Sequence, residues 1–505
     1  MPAYYSGNVV DNHKDAIEKA QAFVETELFV DGEFRTPDRD EYFQTNDPTV
    51  DEPIAELARG SESDVDVAVS AAKVASEDWA ETLPPERQEV LRDLARAIED
   101  NLEEFTLLES LDSGKPLDVA RGEIERAAKY LNYWAGASRS IEGKQLPYDS
   151  DSLIYTRREP YGVVGEIVPW NFPLVMVAYK LGPALATGNT VVIKPARQTS
   201  LTALRLAREA QQYAPDGVVN VVTGPGSEVG EAMTSHPDVR KITFTGETTT
   251  GQAIMRNAAD RAVPVTLELG GKSPFIVFPD ADLDVAVEAV AGVMYYNTGQ
   301  SCDAPSRVFV HDDIREAFME KFVDRTEEEV VGDPLREGTT MGPLASKAQY
   351  EKVTNYIDIG REEDATLATG GAPPESEDCE SGWFVEPTVF AEATNDLRIA
   401  QEEIFGPVET VISWSDYDEM IRQANDTEYG LAAGLATNDV SLANKTAEKL
   451  EAGNIWVNKY ATLEPGTPFG GYKQSGIGRE HTRETMLAFT RCKTVDIATN
   501  HAPMG

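Results

Sequence analysis

The stretch GVVGEIVPWNFPLVMVAYKLGPALATGNTVVIKPA, residues 162–196, decides the fold class of this chain. Its two ends, residues 162–168 and 190–193, are short and rich in valine and isoleucine, which predicts strands. Between them, residues 174–186 are long and apolar enough to predict a helix. Two strands joined by a helix at this spacing predict a right-handed crossover within a parallel sheet.

The same alternation continues in both directions from this unit. Towards the C-terminus the sequence predicts helices over 201–212, from 228 and from 249, and strands over 218–222, 241–244 and 264–269. A second α/β pattern begins at Ser273 and runs to about residue 473, while residues 61–141 predict helices only. The sequence therefore predicts an α/β protein with a nucleotide-binding type of architecture in its first half.

The net charge is strongly negative, because 45 lysines and arginines face 87 aspartates and glutamates, giving −42. Nucleic acids and anionic membranes are bound through cations, so neither is an expected partner. The acidic residues are dispersed, and self-repulsion of this size is tolerated mainly where salt screens it. We therefore expect the protein of a halophile.

Cysteines and apolar runs point to a soluble, cytoplasmic protein. No apolar run approaches the roughly 20 residues of a membrane span, and the polar N-terminus does not resemble a signal peptide. Cys302, Cys379 and Cys492 have no CxxC spacing, so neither a disulfide framework nor a metal site is predicted.

Two residues are candidates for a catalytic role because of their neighbours in the sequence. Cys302 lies between a predicted helix over 282–296 and a predicted strand over 308–310, where Gly299 permits a tight turn. Such a cysteine is either a nucleophile or a small buried apolar residue. Glu268 ends an apolar strand beside two glycines, so it is either a general base with a raised pKa or an ion-pair partner of Lys272.

Two further features suit a dinucleotide, although each also has an ordinary structural reading. Lys194 ends a strand, where it either binds a ribose or phosphate or simply marks the strand exit. The loop beginning at Gly246 precedes a helix, where backbone amides either hold a pyrophosphate or form a turn.

Six short motifs, read together, identify a family. They are PWNFP at 169–173, VIKPA at 192–196, LELGGK at 267–272, GQSC at 299–302, EEIFGPV at 402–408 and PFGGYK at 468–473. With these motifs the chain resembles the NAD(P)-dependent aldehyde dehydrogenase superfamily over essentially its whole length. The resemblance implies an α/β fold with a Rossmann-like parallel-sheet cofactor domain, an α/β catalytic domain and a small oligomerisation β extension. The implied ranges are 1–137 and 161–272 for the NAD(P)-binding domain, 273–473 for the catalytic domain, and 138–160 with 474–505 for oligomerisation.

The resemblance also implies a mechanism, in which an aldehyde is oxidised to an acid through a cysteine thiohemiacetal and a thioester. Cys302 is the implied nucleophile, and the Asn171 amide with the Cys302 backbone N–H stabilises the oxyanion. Glu268 is the implied base that activates water for thioester hydrolysis, and Glu480 matches a proton-relay position. Relatives that transfer the acyl group to coenzyme A in general lack this base.

A cofactor groove is implied for NADP or NAD. In this resemblance Lys194 holds the adenosine ribose, Gly246 the pyrophosphate and Glu403 the nicotinamide ribose. The full implied set is Ile167, Pro169, Trp170, Lys194, Arg197, Gly226, Gly230, Phe244, Gly246, Glu247, Gly251, Leu269, Glu403 and Phe405.

Two of these positions depart from the family pattern. Arg197 stands where the family usually has a glutamate that accepts from the adenosine ribose; a guanidinium suits a 2′-phosphate instead, so the use of NADP is predicted. The alternative is that Arg197 points into solvent. Glu247 stands where many members have serine, and the sequence gives no account of it.

The substrate is left open between a semialdehyde, a betaine aldehyde and a general aliphatic aldehyde. Residues 133–136, 141–143 and 155–160 are similar to betaine-aldehyde and semialdehyde members. Lys459 near the expected mouth disfavours a cation, whereas Asp303 disfavours an anion. The implied pocket residues are Phe172, Met176, Tyr179, Asp303, Trp456 and Phe469.

The oligomerisation segments imply a homodimer or a homotetramer. The competing functional classes are a thiol-esterase or other hydrolase, and a non-catalytic relative of the same fold. No GxSxG motif supports a serine hydrolase, and the presence of both Cys302 and Glu268 disfavours a non-catalytic relative.

Overall fold

The computed structural model describes residues 4–148 and 151–499. Its α-helices within these residues, in chain order, are Val9–Ala20 (α1), Glu62–Glu81 (α2), Pro84–Asp100 (α3), Leu102–Ser113 (α4), Leu117–Ala137 (α5), Pro173–Ala186 (α6), Leu201–Tyr213 (α7), Glu231–Ser235 (α8), Thr248–Ala259 (α9), Leu283–Met294 (α10), Arg315–Glu327 (α11), Lys347–Glu362 (α12), Arg398–Gln401 (α13), Tyr417–Asn425 (α14), Val440–Lys449 (α15) and Arg483–Ala488 (α16).

The strands within the same residues, again in chain order, are Leu28–Val30 (β1), Glu33–Arg35 (β2), Tyr42–Asp47 (β3), Glu52–Ala58 (β4), Gln145–Leu146 (β5), Ser152–Pro160 (β6), Val163–Ile167 (β7), Thr190–Lys194 (β8), Val219–Val221 (β9), Val239–Thr245 (β10), Val265–Glu268 (β11), Pro274–Val277 (β12), Arg307–His311 (β13), Thr366–Thr369 (β14), Thr388–Ala393 (β15), Val408–Trp414 (β16), Ala432–Ala436 (β17), Asn454–Val457 (β18), Gly476–Ile477 (β19) and Thr490–Ala498 (β20).

The first large sheet has the order β19-β11-β10-β7-β8-β9-β1-β2. Its centre, from β11 to β9, is parallel, whereas β19 and β1 pair with it antiparallel. All residues of β7 and β8 are buried, as expected for parallel strands covered by helices on both faces. The β7–α6–β8 unit predicted from the sequence is therefore present.

The second large sheet has the order β14-β15-β16-β13-β12-β17-β18, with only β14 antiparallel to its neighbour. It spans the second α/β pattern of the sequence. Helix α10 and strand β13 lie where they were predicted, so Cys302 sits on the connection between them. The predicted α/β class is confirmed.

A third sheet, β20-β6-β5, is antiparallel and small. It contains strands from both predicted oligomerisation segments, residues 138–160 and 474–505. The second segment is divided between two sheets. Strand β19 pairs with β11 in the first sheet, so only β20 belongs with β6. The predicted ranges also include residues 1–3, 149–150 and 500–505, which lie outside the described residues.

A buried histidine ties the N-terminal helix to distant parts of the chain. His13 on α1 is fully buried, with Nδ1 against the Asp47 carboxylate and Nε2 2.9 Å from an Asp333 carboxylate oxygen. Burial by itself lowers the pKa of His13, but the two aspartates outweigh this and raise the pKa to about 9. The charged imidazolium therefore joins α1 to β3 and to the loop after α11. None of the described helices is long and apolar enough to cross a membrane.

Candidate active site

The loop that carries Cys302 has an unusual backbone. Asn297, Thr298 and Gly299 have φ angles of 52°, 58° and 70°, which are left-handed conformations. At Gly299 a Cβ atom would lie 2.4 Å from the carbonyl carbon of Gly406, so glycine is required there on two counts. Backbone strain of this kind is characteristic of functional loops that the surrounding structure holds in place.

Side-chain amides hold this loop. The Asn297 side chain donates to the Asn171 carbonyl oxygen at 2.9 Å, and Gln300 donates to the Asn297 carbonyl at 2.9 Å. Gln300 also accepts from the Ala345 backbone N–H at 2.9 Å. Asn297 and Gln300 were not predicted as site residues, although two amide side chains close to a glycine and a cysteine in the sequence were a signal for this role.

Asn171 is placed beside the same loop. Its side-chain amide donates to the Gln300 carbonyl oxygen at 2.9 Å, and its side chain is buried. This contact uses one of the two N–H groups of the amide. The other N–H group is available to an acceptor in the space next to Cys302.

A cavity of about 840 Å³ opens next to Cys302. It has mainly aromatic and apolar walls, with several ionisable groups at its inner end. Its lining includes the predicted pocket residues Phe172, Met176, Tyr179, Asp303 and Phe469, together with Arg126, Val175, Thr245, Glu268, Gly292, Val293, Tyr296, Ser301, Ala461, Leu463, Glu480 and His481.

Trp456 is the exception among the predicted pocket residues. It is buried in the core around the second sheet, with its ring 4.8 Å from the Tyr460 ring, and does not line the cavity. Lys459 is exposed and is not among the residues that line the cavity.

Two further cavities, of about 1030 and 980 Å³, follow the carboxyl ends of β7 and β10. The first includes Pro169, Trp170, Asn171, Gly246, Glu247, Leu269, Glu403 and Phe405 in its lining, and the second includes Ile167, Gly226 and Gly230. We refer to them together as the groove. Its position at the carboxyl ends of parallel strands is the one at which open α/β sheets bind nucleotides.

Four of the predicted cofactor residues do not line the groove. Phe244 and Gly251 lie behind its wall, where a Cβ on Gly251 would meet the Leu269 side chain at 2.4 Å. Lys194 is buried and donates to the Pro195 carbonyl at 3.0 Å, and burial lowers the pKa of Lys194 to about 8. Arg197 is exposed, with its guanidinium 5.2 Å from the centre of the Phe43 ring.

The groove has the features that a dinucleotide requires. At the turn from β10 to α9, the hydroxyl groups of Thr245 and Thr248 are buried without hydrogen-bond partners in the described structure, and Thr245 lines the groove. Glu403 accepts from the Gly271 backbone N–H at 2.9 Å, and a Cβ on Gly270 would lie 2.4 Å from the Glu403 carboxylate. The unpaired hydroxyl groups of Thr245 and Thr248, at the start of a helix that borders the groove, therefore fit a bound NAD or NADP.

Cys302 lies where the cavity and the groove meet, since it lines both of them, as does Thr245. Burial raises the pKa of the Cys302 thiol well above its ordinary value, and the nearby carboxylates of Asp303, Glu403 and Glu268 raise it further. The resting residue is therefore a protonated thiol. Its position gives it access to a molecule on either side.

Glu268 is a buried carboxyl group in the wall of the same cavity. Its side chain is 2% exposed, and neither carboxylate oxygen has a hydrogen-bond partner in the described structure. Burial raises the pKa of Glu268 well above 4.5, and the negative charge of Glu480 adds to this, against the opposing effects of Lys180 and Arg479. Lys272 is not its partner, because the Lys272 ammonium is also buried without one. A buried carboxyl group with a raised pKa binds a proton more readily than an exposed one, which suits a general base.

Glu480 completes the inner end of the cavity. It accepts from the buried ammonium of Lys180 on α6 at 2.6 Å, and Lys180 also donates to the Thr243 hydroxyl at 3.3 Å. The predicted residues Cys302, Glu268, Asn171 and Glu480 are thus brought together at one place. The described residues contain no group of three or more His, Cys, Asp or Glu side chains that could hold a metal ion.

Comparisons with known proteins agree with this geometry. The family model described as "Aldehyde dehydrogenase family" matches residues 34–495. A hydroxyisobutyraldehyde dehydrogenase of Mycolicibacterium austroafricanum is 45% identical over 477 residues, covering 94% of each chain. The NAD+ complex of an aldehyde dehydrogenase from Bacillus cereus has a TM-score of 0.93 at 44% identity, covering 95% of this chain and 99% of that one. A betaine aldehyde dehydrogenase from Staphylococcus aureus in complex with NAD+ has a TM-score of 0.94 at 35% identity, covering 97% of this chain and 98% of that one.

Proposed function

We propose specific residue roles, a cofactor preference and an assembly for this chain, which belongs to the aldehyde dehydrogenase family and oxidises aldehydes to carboxylic acids with NAD(P).

In the first half of the proposed reaction, the Cys302 thiolate adds to the aldehyde carbonyl carbon. The oxyanion that forms accepts from the free N–H of the Asn171 amide and from the Cys302 backbone N–H. A bound nicotinamide supplies the acceptor for the hydride that leaves the same carbon, so the sulfur is left in a thioester. The thiol proton leaves to solvent water before the attack, because the resting Cys302 is a protonated thiol.

In the second half, Glu268 takes a proton from water as its oxygen attacks the thioester carbon. Collapse of the new oxyanion breaks the carbon–sulfur bond, which releases the carboxylic acid and the Cys302 thiolate; the thiolate takes up a proton from solvent to return to the resting thiol. The Glu480–Lys180 pair lies beside Glu268 and is placed to pass the proton onwards. The observation that carries this proposal is that Cys302 lines both the cavity and the groove, with Glu268 in the cavity wall.

The experiment that tests these roles follows reduced cofactor by absorbance, with NAD+ or NADP+ and a panel of aldehydes. Wild-type protein is expected to turn over, whereas Cys302→Ala is expected to form no reduced cofactor at all. Cys492→Ala is the matched control, because Cys492 is an exposed cysteine on β20, away from the cavity. Retention of steady turnover by Cys302→Ala would refute the assignment of the nucleophile.

We further propose that NADP is used, in preference to NAD. Arg197 follows β8 by three residues and lies outside the lining of the groove, but it is exposed and makes no hydrogen bond or ion pair within the described residues, so its five N–H donors are free for a 2′-phosphate. Arg197→Ala is then expected to lower kcat/KM for NADP by about 10-fold or more while leaving NAD unchanged. Arg240→Ala is the control, because Arg240 lies near the start of β10, at the opposite end of that strand from the groove. A strong NAD preference in both wild-type protein and Arg197→Ala would refute this proposal.

We propose a homodimer or homotetramer assembled through the third sheet. Leu146, Leu153 and Ile497 on its three strands are each 41–45% exposed, and exposed apolar side chains on a small sheet favour a partner. Light scattering is expected to give a multiple of 55.2 kDa. Leu153→Asp is expected to shift the mass towards the monomer, and a monomeric wild-type protein would refute the proposal.

We propose the cytoplasm of a halophile as the setting. The charge of −42 is dispersed over the chain, which favours a salt-rich medium, and a catalytic thiol at Cys302 favours a reducing compartment.

A further inference from the structure

Arg126 on α5 is a cation in the wall of the substrate cavity, and the described structure gives it neither a hydrogen bond nor an ion pair. It is half-buried. The charge of Glu123 acts on Arg126, but this carboxylate already accepts from the Lys115 ammonium at 2.5 Å and from the Tyr296 hydroxyl at 3.0 Å. The guanidinium therefore has no hydrogen-bond acceptor among residues 4–148 and 151–499.

The cavity wall around Arg126 includes aromatic side chains. Tyr179 and Tyr296 line the cavity with it, and the Tyr296 ring stacks with Phe172 at 6.3 Å. A guanidinium has five N–H donors and no acceptor, and leaving these donors unsatisfied in an apolar wall is costly. Such a site favours a ligand that brings its own negatively charged oxygens.

The remaining charges of the cavity belong to the reacting end. Glu480 is paired with Lys180, and Asp303 accepts from the Ser301 hydroxyl at 2.5 Å. Arg126 is the only lysine or arginine among the described lining residues. The cavity therefore has acidic groups near Cys302 and one uncommitted cation.

We propose that Arg126 binds a carboxylate on the substrate, and that the preferred substrates are aldehydes with a carboxylate at the far end of a short chain. This inference rests on the proposed function, because it assumes that the aldehyde reaches Cys302 through this cavity. A planar guanidinium can hold a carboxylate by two parallel hydrogen bonds, which fixes the orientation of the chain. The same charge repels a quaternary ammonium, so a betaine aldehyde is a poor substrate.

The test compares succinic semialdehyde with butanal, which has the same chain length but no charge, and includes betaine aldehyde. For wild-type protein, kcat/KM for the semialdehyde is expected to exceed that for butanal by about 10-fold or more. Arg126→Met is expected to lower kcat/KM for the semialdehyde by about 10²-fold, mainly through KM, while butanal changes by less than about 3-fold. For Arg126→Lys, kcat/KM for the semialdehyde is expected to lie between the values for wild-type protein and Arg126→Met.

Arg121→Met is the matched control, because Arg121 lies on the same helix but pairs with Glu103 and Glu125 outside the cavity. Butanal turnover by Arg126→Met shows that the variant is folded and that the chemistry is intact. An equal loss of kcat/KM for succinic semialdehyde and butanal in Arg126→Met, or a preference of wild-type protein for betaine aldehyde, would overturn this inference. Either result would leave the proposed function standing. Wild-type protein that oxidises none of the three aldehydes would overturn the proposed function together with it.

Discussion

Replacement of Glu268 by glutamine separates the two halves of the proposed reaction. The carboxyl group is buried and neither of its oxygens has a partner in the described structure, so an amide of the same shape costs the fold little. The amide cannot accept the proton of the attacking water. General-base catalysis contributes roughly 10²–10⁴ in rate, or about 3–5 kcal/mol of transition-state stabilisation, and this is the expected loss in thioester hydrolysis.

The first half of the reaction should proceed in Glu268→Gln. The pKa of Cys302 is raised by burial and by three neighbouring carboxylates, of which Glu268 is one. Removing that negative charge does not raise the pKa of the thiol further, so thiolate remains accessible. The variant is therefore expected to form the thioester and to stop there.

Rapid mixing of Glu268→Gln with cofactor and aldehyde is expected to give a burst of about one reduced cofactor per subunit, followed by a steady rate roughly 10²–10⁴ lower than wild type. Hydroxylamine, which attacks thioesters without a base, is expected to restore turnover. Wild-type kcat is expected to rise with pH, because Glu268 must lose its proton and its pKa is raised by burial; the variant is expected to lack this rise.

Glu409→Gln is the control for this experiment. Glu409 is equally buried and accepts from the Tyr295 hydroxyl at 2.6 Å in the core of the second sheet, outside the cavity. It is expected to keep wild-type kinetics. A Glu268→Gln variant whose steady rate stays within about 10-fold of wild type would remove Glu268 as the base. Loss of the burst itself would show that Glu268 is needed before hydride transfer.

Four other perturbations have expected outcomes. The folded-state pKa of His13 is raised from 6.5 to about 9, so protonated His13 contributes about 3 kcal/mol to the free energy of unfolding. This contribution is complete below pH 6.5 and is lost as the pH rises through 9. Urea unfolding at pH 6 and pH 9 should show the loss in wild-type protein and not in His13→Gln. Lys180→Met should destabilise the protein to urea by about 3–5 kcal/mol because it leaves Glu480 buried and unpaired, and a loss under about 1 kcal/mol would contradict this. Gly299→Ala should abolish turnover while circular dichroism stays native, because the added Cβ meets the Gly406 backbone at 2.4 Å and displaces the loop that carries Cys302. The melting temperature should be higher in about 1 M KCl, where the Debye length is ~3 Å, than in about 0.1 M, where it is ~10 Å, and equal values would contradict the proposed salt requirement.

The α/β class could be predicted from the sequence because its signals are local. Strands β7 and β8 are short runs rich in β-branched residues, and helix α6 between them is a longer apolar segment. Each of these elements can be predicted from a few consecutive residues. The positions of Cys302 and Glu268 at the ends of such elements are equally local. Motifs then supplied the family, and with it the expectation that the two residues meet.

Other features depend on contacts between residues far apart in the chain, and the sequence could not predict them. The left-handed turn at Asn297 is held by Asn171 from the loop between β7 and α6, and Trp456 packs against Tyr460 in the core around the second sheet. Arg126 had no local signal, since one arginine on a helix is ordinary until the partners around it are known.

The amino-acid sequence by itself determined the succession of strands and helices, the acidic surface charge and the residue types available for chemistry, because these depend on neighbours along the chain. Only the tertiary structure decided which side chains share a cavity and which remain without a partner. Burial, the pKa of Glu268 and the free donors of Arg126 all arise when distant segments pack together and exclude water, and no short stretch of sequence contains that information.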